Sequence, residues 1–356
     1  MVPDAITPSN LRRALVVKLR HHGDVLLSAP VFSTLNRIAP HCEIDALVYG
    51  ETVPMLEGHP AITQIHHIDR NWKHAGMGEQ ISAEWRLLKT LRERRYDLLV
   101  HLTEHRRGAW LARLLGPRWS VAPRQDGKFW RKSFTHFSPW ASNPRRHTVE
   151  TNLDALRRIG IQPIDEDKRV TLVPGAAAEA RVAELLGQHG LGDREFIHLH
   201  PASRWLFKCW PAVKVAQLAD ALAARGVAIV LTAAPEPKEI SLIGEVLAAV
   251  HAPVVDLAGR LSLKELAALA ARARLFVGVD SAPMHIAAAM DTPTVALFGP
   301  SGDIEWGPWR TAHRVIASDA HPCRPCGQDG CGGGKVSECL TTLPVERVLA
   351  ACTELL

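Results

Sequence analysis

No apolar run in this 356-residue chain approaches the roughly 20 residues that a membrane-spanning helix needs. The N-terminus, MVPDAITPSNLRRALVV, also lacks the layout of a secretory signal, since its charges do not precede an apolar core followed by a small-residue cleavage site. These two absences make a cytoplasmic protein the expectation. Low-complexity tracts are missing as well, and with 47% hydrophobic and 22% charged residues extensive disorder is not expected. Nothing in the sequence has the form of a nucleic-acid recognition motif. What the chain does have is length: 356 residues exceed one ordinary core, so two domains are expected.

The net charge of +5 is modest but unevenly spread. Residues 1–167 hold 24 Lys and Arg against 18 Asp and Glu, whereas residues 168–356 hold 18 against 19. Within 70–146 the ratio is 17 to 6, with clusters at Arg92–Arg94–Arg95, Arg106–Arg107 and Arg145–Arg146. Such a field attracts phosphate, anionic lipid or nucleic acid, although any one cluster is also what a solvated helix face looks like.

Apolar segments at 12–19, 43–49, 62–68 and 97–102 alternate with helical patterns, the first helix being expected from Val25 to Ile38 with Pro30 in its opening turns. A second series follows, with strands at 196–200, 228–231, 254–256, 275–279 and 294–298 and helices between them. Alternation of this kind signals βαβ units and parallel sheets. Ser262 and Glu265 have the spacing of a capping box. The stretch 116–148 differs, carrying Trp119, Phe129, Trp130, Phe134, Phe137 and Trp140 among basic residues without periodicity, and reads as a long irregular loop. The expected fold is α/β with two halves, 1–167 and 168–356.

Three strand-to-loop junctions in the second half carry groups suited to a nucleotide. LFVGVDSAPMHIAAAMDTPTVALFGPSG, residues 275–302, runs from a strand through Asp280 into a small-residue helix opened by Ser281, Ala282 and Pro283 and continuing through His285. A helix start of this type offers backbone N–H groups and the positive end of a dipole to an anion. HLHPASRWLFKCWP, residues 198–211, brings Ser203, Arg204 and Lys208 after another strand, Lys208 being a point charge suited to a leaving diphosphate. TAAPEPKE, residues 232–239, holds Thr232 and Glu239 where a base or ribose can be met. Ligands of open α/β sheets bind at these carboxyl ends. In the first half, HHGDV places Asp24 where the first strand gives way to a helix, a position open to two roles: helix N-cap or catalytic base.

KLRHHGDVLLSAPVFSTL, HPASRWLFKCWP, LAGRLSLKEL and GVDSAPMHIAAA…PTVALFGPSG together resemble the bacterial lipopolysaccharide heptosyltransferases, glycosyltransferase family 9. The resemblance spans about residues 12–340. It implies a GT-B fold, two Rossmann-like domains facing each other across a cleft, with the acceptor on the first and the nucleotide sugar on the second. It further implies inverting transfer from ADP-L-glycero-D-manno-heptose to the lipopolysaccharide inner core, without a cofactor or catalytic metal, at the cytoplasmic face of the inner membrane. By position in these motifs, Asp24 matches the general base and Lys208 the lysine on the donor diphosphate. Ser203, Asp280, Ser281, Ala282, Pro283, His285, Thr232 and Glu239 match donor-side positions. Ala282 replaces the family's usual glycine, and Thr232–Ala233–Ala234 stands where Thr-Gly-Gly is common. Arg20, Arg106, Arg107, Lys128 and Arg131 are candidates for holding the phosphorylated acceptor. A related transferase with another donor or acceptor position, or a non-catalytic nucleotide-sugar binding protein, are the alternatives. A monomer is expected.

Four of the seven cysteines, Cys323, Cys326, Cys331 and Cys339, cluster in CRPCGQDGCGGGKVSEC. Their C-x2-C-x4-C-x7-C spacing departs from a zinc ribbon, so a structural zinc site and a reduced loop are both open.

Overall fold

The computed structural model describes residues 4–70, 76–139, 145–192 and 194–356, which leaves Trp140 of the aromatic stretch outside the described residues. The chain divides into two compact units, Met1–Leu172 and Val173–Leu356. No described helix is long and apolar enough to cross a membrane.

In the first unit, β1 (Arg13–Val17) is followed by α1 (His22–Leu26), α2 (Ala29–Ile38), β2 (Glu43–Tyr49), β3 (Gln64–Ile68) and α3 (Met77–Glu93). Then come β4 (Leu98–His101), α4 (Arg106–Leu115), β5 (Trp119–Pro123), α5 (Lys128–Arg131), β6 (His136–Ser138) and α6 (Thr148–Arg158). The strands form one parallel sheet in the order β3-β2-β1-β4-β5-β6. The interior strands are mostly buried apolar runs, as strands covered on both faces must be, with Asp45 a buried charge inside β2 and His101 closing β4. Leu15, Val17, Leu47 and Leu99 pack with Leu91 of α3 and with Ala109 and Ala112 of α4.

Two expectations need correction here. The helix expected over 25–38 is two helices. Pro30 has no N–H to give the carbonyl four residues back, so the chain ends α1 at Leu26 and reopens at Ala29, with Pro30 in the first turn of α2. The stretch 116–148 is not a long irregular loop, since it supplies β5, α5 and β6. These elements are too short to show a period, and their aromatic residues serve as core: Trp130 and Phe134 are buried, with ring centroids 4.9 Å apart.

The second unit opens with α7 (Ala176–Gln188), β7 (Phe196–His200), α8 (Ala212–Ala223), β8 (Ala228–Leu231), α9 (Pro237–Ala249), β9 (Val254–Asp256) and α10 (Leu263–Arg272). It continues with β10 (Leu275–Val279), α11 (Ala282–Ala289), β11 (Thr294–Phe298), α12 (Asp303–Trp306), β12 (His313–Ala317), α13 (Glu338–Thr341) and α14 (Val345–Leu355). Its sheet is also parallel, in the order β12-β11-β10-β7-β8-β9. Alternate strand residues serve two cores. Ile197, Leu199, Leu231 and Val277 face α8 and α14, while Phe196 and Val230 face α7 and α10. The capping box is present: Ser262 Oγ accepts from the Glu265 amide and Glu265 returns a bond to the Ser262 N–H.

One contact in the first unit has no slack. His101, buried at the end of β4, stacks at 5.8 Å on Phe134, and a Cβ on Gly108 of α4 would stand 2.1 Å from its Nε2. Gly108→Ala is therefore expected to lower stability by about 1–3 kcal/mol, the usual cost of overpacking a filled core. Urea unfolding measures this, and a His101→Ala background should remove most of the effect.

Candidate active site residues

Asp24 is the third residue of α1, in the first turn, where the helix dipole favours a carboxylate. The N-cap position belongs to His21, so the cap role that the sequence left open for Asp24 is not the one it fills. The side chain is half-buried. Among the described residues its carboxylate accepts no hydrogen bond and forms no ion pair, which leaves its lone pairs uncommitted.

Asp24 acts in turn on a cation the motifs did not single out. Lys18 leaves β1 one position past its end and is 5% exposed. Its Nζ donates to the Leu102 carbonyl at 3.2 Å and to Asn152 Oδ1 at 3.0 Å, and Asn152 Nδ2 donates to the Leu27 carbonyl at 3.0 Å. One ammonium thus ties the loop after β1 to the loop after β4, to α6 and to the junction between α1 and α2. Burial pulls its pKa down to about 8, while Asp24 and Glu104 pull the other way. The signal was present in the sequence: a cation lodged between Val17 and Leu19 interrupts an otherwise buried run.

The five cations proposed for the acceptor all follow carboxyl ends of strands in this sheet, the edge that also carries Asp24. Arg20 comes after β1, Arg106 and Arg107 after β4, and Lys128 and Arg131 after β5. Arg20, Arg106, Lys128 and Arg131 are exposed. Arg107 is already engaged in an ion pair with Glu84 of α3.

In the second unit the corresponding edge gathers the donor-side candidates. The turn Leu206–Lys208 presents Lys208, whose Nζ donates to Asp280 Oδ2 at 2.6 Å. Asp280 lies just past β10 and is nearly buried, so this pair is held partly out of water. Ser203 is buried and its Oγ accepts from the Trp205 amide at 3.3 Å, closing the loop that leads to Lys208. Ser281 is the N-cap of α11 without a side-chain cap bond, its Oγ donating to the Val279 carbonyl at 3.3 Å. Ala282 supplies a first-turn amide, whereas Pro283 removes one, so the helix start has fewer donors for an anion than its dipole suggests. His285 is buried and faces Trp306 at 6.4 Å between ring centroids.

Two donor-side residues are committed to interior bonds. Thr232 is buried, and its hydroxyl lies 2.7 Å from His198 Nε2 and 2.8 Å from His200 Nδ1. Burial holds both pKa values down and keeps both imidazoles neutral, so the hydroxyl can donate to one ring and accept from the other. Thr232 therefore anchors β8 to β7 instead of offering its hydroxyl to a ligand. Glu239, in the first turn of α9, is buried and accepts from the Ala234 amide at 3.0 Å, with burial raising its pKa. It shapes the 232–236 loop from below.

The four clustered cysteines sit near one another, Cys331, Cys326 and Cys323 adding to the burial that raises the Cys339 pKa. Cys323, Cys326 and Cys331 are exposed and Cys339 is buried, and among the described residues no three His, Cys, Asp or Glu side chains come together as a metal site. The loop braces the donor side. Ser337 Oγ donates to the Phe207 carbonyl at 2.6 Å, next to Lys208, and Arg324 Nε donates to the Gly299 carbonyl at 2.6 Å.

Residues 84–336 match glycosyltransferase family 9 (heptosyltransferase). The chain is 38% identical over 295 residues to lipopolysaccharide heptosyltransferase 3 of Escherichia coli, covering 82% of this chain and 84% of that protein. It is 35% identical over 343 residues to the protein of the same name from E. coli strain K12, covering 95% and 96%. The chain belongs to glycosyltransferase family 9. Among solved structures, E. coli ADP-heptose lipopolysaccharide heptosyltransferase II superposes with a TM-score of 0.75 at 23% identity over 96% of this chain and 98% of that one. The fold is thus that of the GT-B glycosyltransferases, and this family-9 chain is a transferase.

Lys18 generates a test of sign. Its folded pKa, about 8, lies below the ordinary lysine value of 10.5, so folding penalises the charged form. Between those values the unfolded chain holds the proton and the folded chain does not, so stability from this group rises with pH. Urea midpoints at pH 7, 8.5 and 10 should show wild type gaining on Lys18→Met as pH rises, by up to about 3 kcal/mol. A constant gap between the two proteins would refute the buried-charge assignment.

Proposed function

We propose that the chain is a heptosyltransferase III-like enzyme that moves L-glycero-D-manno-heptose from its ADP-linked form to an inner-core heptose of lipopolysaccharide, with inversion at the anomeric carbon. The acceptor belongs to the first unit and the nucleotide sugar to the second. The observation that carries this reading is the uncommitted carboxylate of Asp24 in a family-9 chain, since a general base needs a free lone pair at the proton it removes.

Asp24 takes the proton of the acceptor hydroxyl as its oxygen attacks the anomeric carbon. The bond from that carbon to the diphosphate breaks, and ADP leaves with the electron pair. Charge then grows on the diphosphate oxygen, where a preformed cation and helix amides are worth most. Lys208, held by Asp280, supplies the cation, and the start of α11 at Ser281–Ala282 supplies the amide. No cofactor takes part in these steps. The substrate is assembled on a lipid anchor, so the enzyme works as a peripheral protein at the cytoplasmic face of the inner membrane.

Asp24→Ala should lower turnover by about 10³-fold, within the range removed with a general base, while leaving ADP affinity unchanged. Transfer to a truncated core acceptor followed by mass analysis reads the first quantity, and calorimetry with ADP reads the second. Near-normal turnover in this variant would sink the base assignment. Absence of heptosyl transfer by the wild type, with ADP still bound, would favour a nucleotide-sugar binding protein instead.

A further inference from the structure

Two neighbouring helices of the first unit expose large apolar side chains. Ile81 and Trp85 of α3 are 55% and 61% exposed, and Trp110 and Leu114 of α4 are 56% and 42% exposed. Single exposed apolar residues are ordinary, but these continue into cations at helical spacing. Ile81, Trp85, Lys89 and Arg92 share one stripe of α3, and Arg106, Trp110 and Leu114 share one of α4. The Glu84–Arg107 ion pair pins the two helices together. Trp85 directly follows Glu84 and Trp110 stands one turn beyond Arg107, so both tryptophans flank the same bridge.

Along the outer side of α3 runs a groove of about 770 Å³ lined by Ile81, Trp85, Arg86, Lys89, Arg92 and Arg95. Glu93, the one carboxylate lining it, lies 3.9 Å from Lys89 and offsets only part of this charge. The other face of α3 is anchored by buried Ala83 and Leu91, which makes the helix amphipathic with a cationic, tryptophan-bearing outer side. That combination suits the boundary between lipid headgroups and acyl chains, where indole rings sit at headgroup level and Lys and Arg meet lipid phosphates. A protein-binding patch would be depleted of lysine at its centre, and no nucleic-acid motif accompanies the charge.

We propose that the α3–α4 face is the docking surface for an anionic lipid bilayer, with Trp85 and Trp110 seated in the interface and the α3 cations on lipid phosphates. This rests on the membrane-linked function proposed above. Because α4 begins at the sheet edge that carries Asp24, a bilayer on this face lies beside the acceptor side of the first unit.

The test is sedimentation of the full chain with vesicles of phosphatidylcholine, alone or with a minority of phosphatidylglycerol. Wild type should partition onto the anionic vesicles only, and less as salt is raised. Arg86→Gln and Arg92→Gln should each lower partitioning about fivefold. Trp85→Ser with Trp110→Ser should lower it about tenfold. Transfer to a deacylated core oligosaccharide in solution should be unchanged in all variants, which also shows that they fold. Equal binding to neutral vesicles, wild-type partitioning of the variants, or loss of RNA-oligonucleotide binding in place of vesicle binding would each overturn the proposal. Failure of the wild type to transfer heptose in solution would strike the proposed function and leave the vesicle result standing.

Discussion

A lysine at the centre of each sheet joins the loops on which the candidate site depends. In both units the first and fourth strands are central neighbours, β1 beside β4 and β7 beside β10, and the strand order reverses between them. At such a switch point adjacent loops leave in opposite directions and open a crevice, so something must span them. Lys18 spans the first by reaching the Leu102 carbonyl, and Lys208 spans the second by reaching Asp280. The partners differ in charge. Lys18 meets a carbonyl and an amide oxygen and remains a buried charge at neutral pH, supported by the charge of Asp24. Lys208 meets a carboxylate and stays partly open to solvent, as a group must if a diphosphate is to reach it.

The rest of the second unit holds that pair in position. Ser203 closes the loop before Lys208, and Ser337 fixes the Phe207 carbonyl beside it. Arg324 ties the cysteine-bearing loop to Gly299 after β11. On the next strand, Thr232 locks two neutral imidazoles of β7 to the end of β8. These contacts leave Lys208 few positions, which is what catalysis by a preformed charge requires.

The alternation of strands and helices was legible because parallel strands buried on both faces are written as unbroken apolar runs, as in Leu15–Val17 and Phe276–Val279. The strand-to-loop junctions were legible for the same reason, and with them Asp24, Lys208 and Asp280. Partner choice was not. Nothing in the Thr232–Ala233–Ala234 segment announces that the hydroxyl points inward, although His198 and His200, two apart on one strand, share a face and need a polar partner when buried. Lys18 was hidden by its neighbours, which made it read as the tail of a strand. The 116–148 segment was misread because its strands are three to five residues long and its aromatic residues are placed by packing, not by period.

The charge asymmetry of the sequence can now be divided. Part of the positive surplus of 70–146 is spent inside the first unit: Arg94 pairs with the buried Asp45, and Arg107 with Glu84. Arg70 and Arg146 are likewise paired, with Glu51 and Asp154, and among the others two groups keep different company. Arg106, Lys128 and Arg131 stand at carboxyl ends of strands, the edge of Asp24, where they can meet a phosphorylated sugar chain. Arg86, Lys89, Arg92 and Arg95 stand on the outer side of α3 with Ile81 and Trp85. A sugar acceptor alone accounts for the first group and leaves the second without purpose, because sugars do not call for a cationic groove away from the reacting hydroxyl. An acceptor carried on a lipid anchor accounts for both, since its sugar must reach Asp24 while its anchor stays in a bilayer. On the proposed function, the first group serves the sugar of the acceptor and the second the bilayer in which its anchor sits.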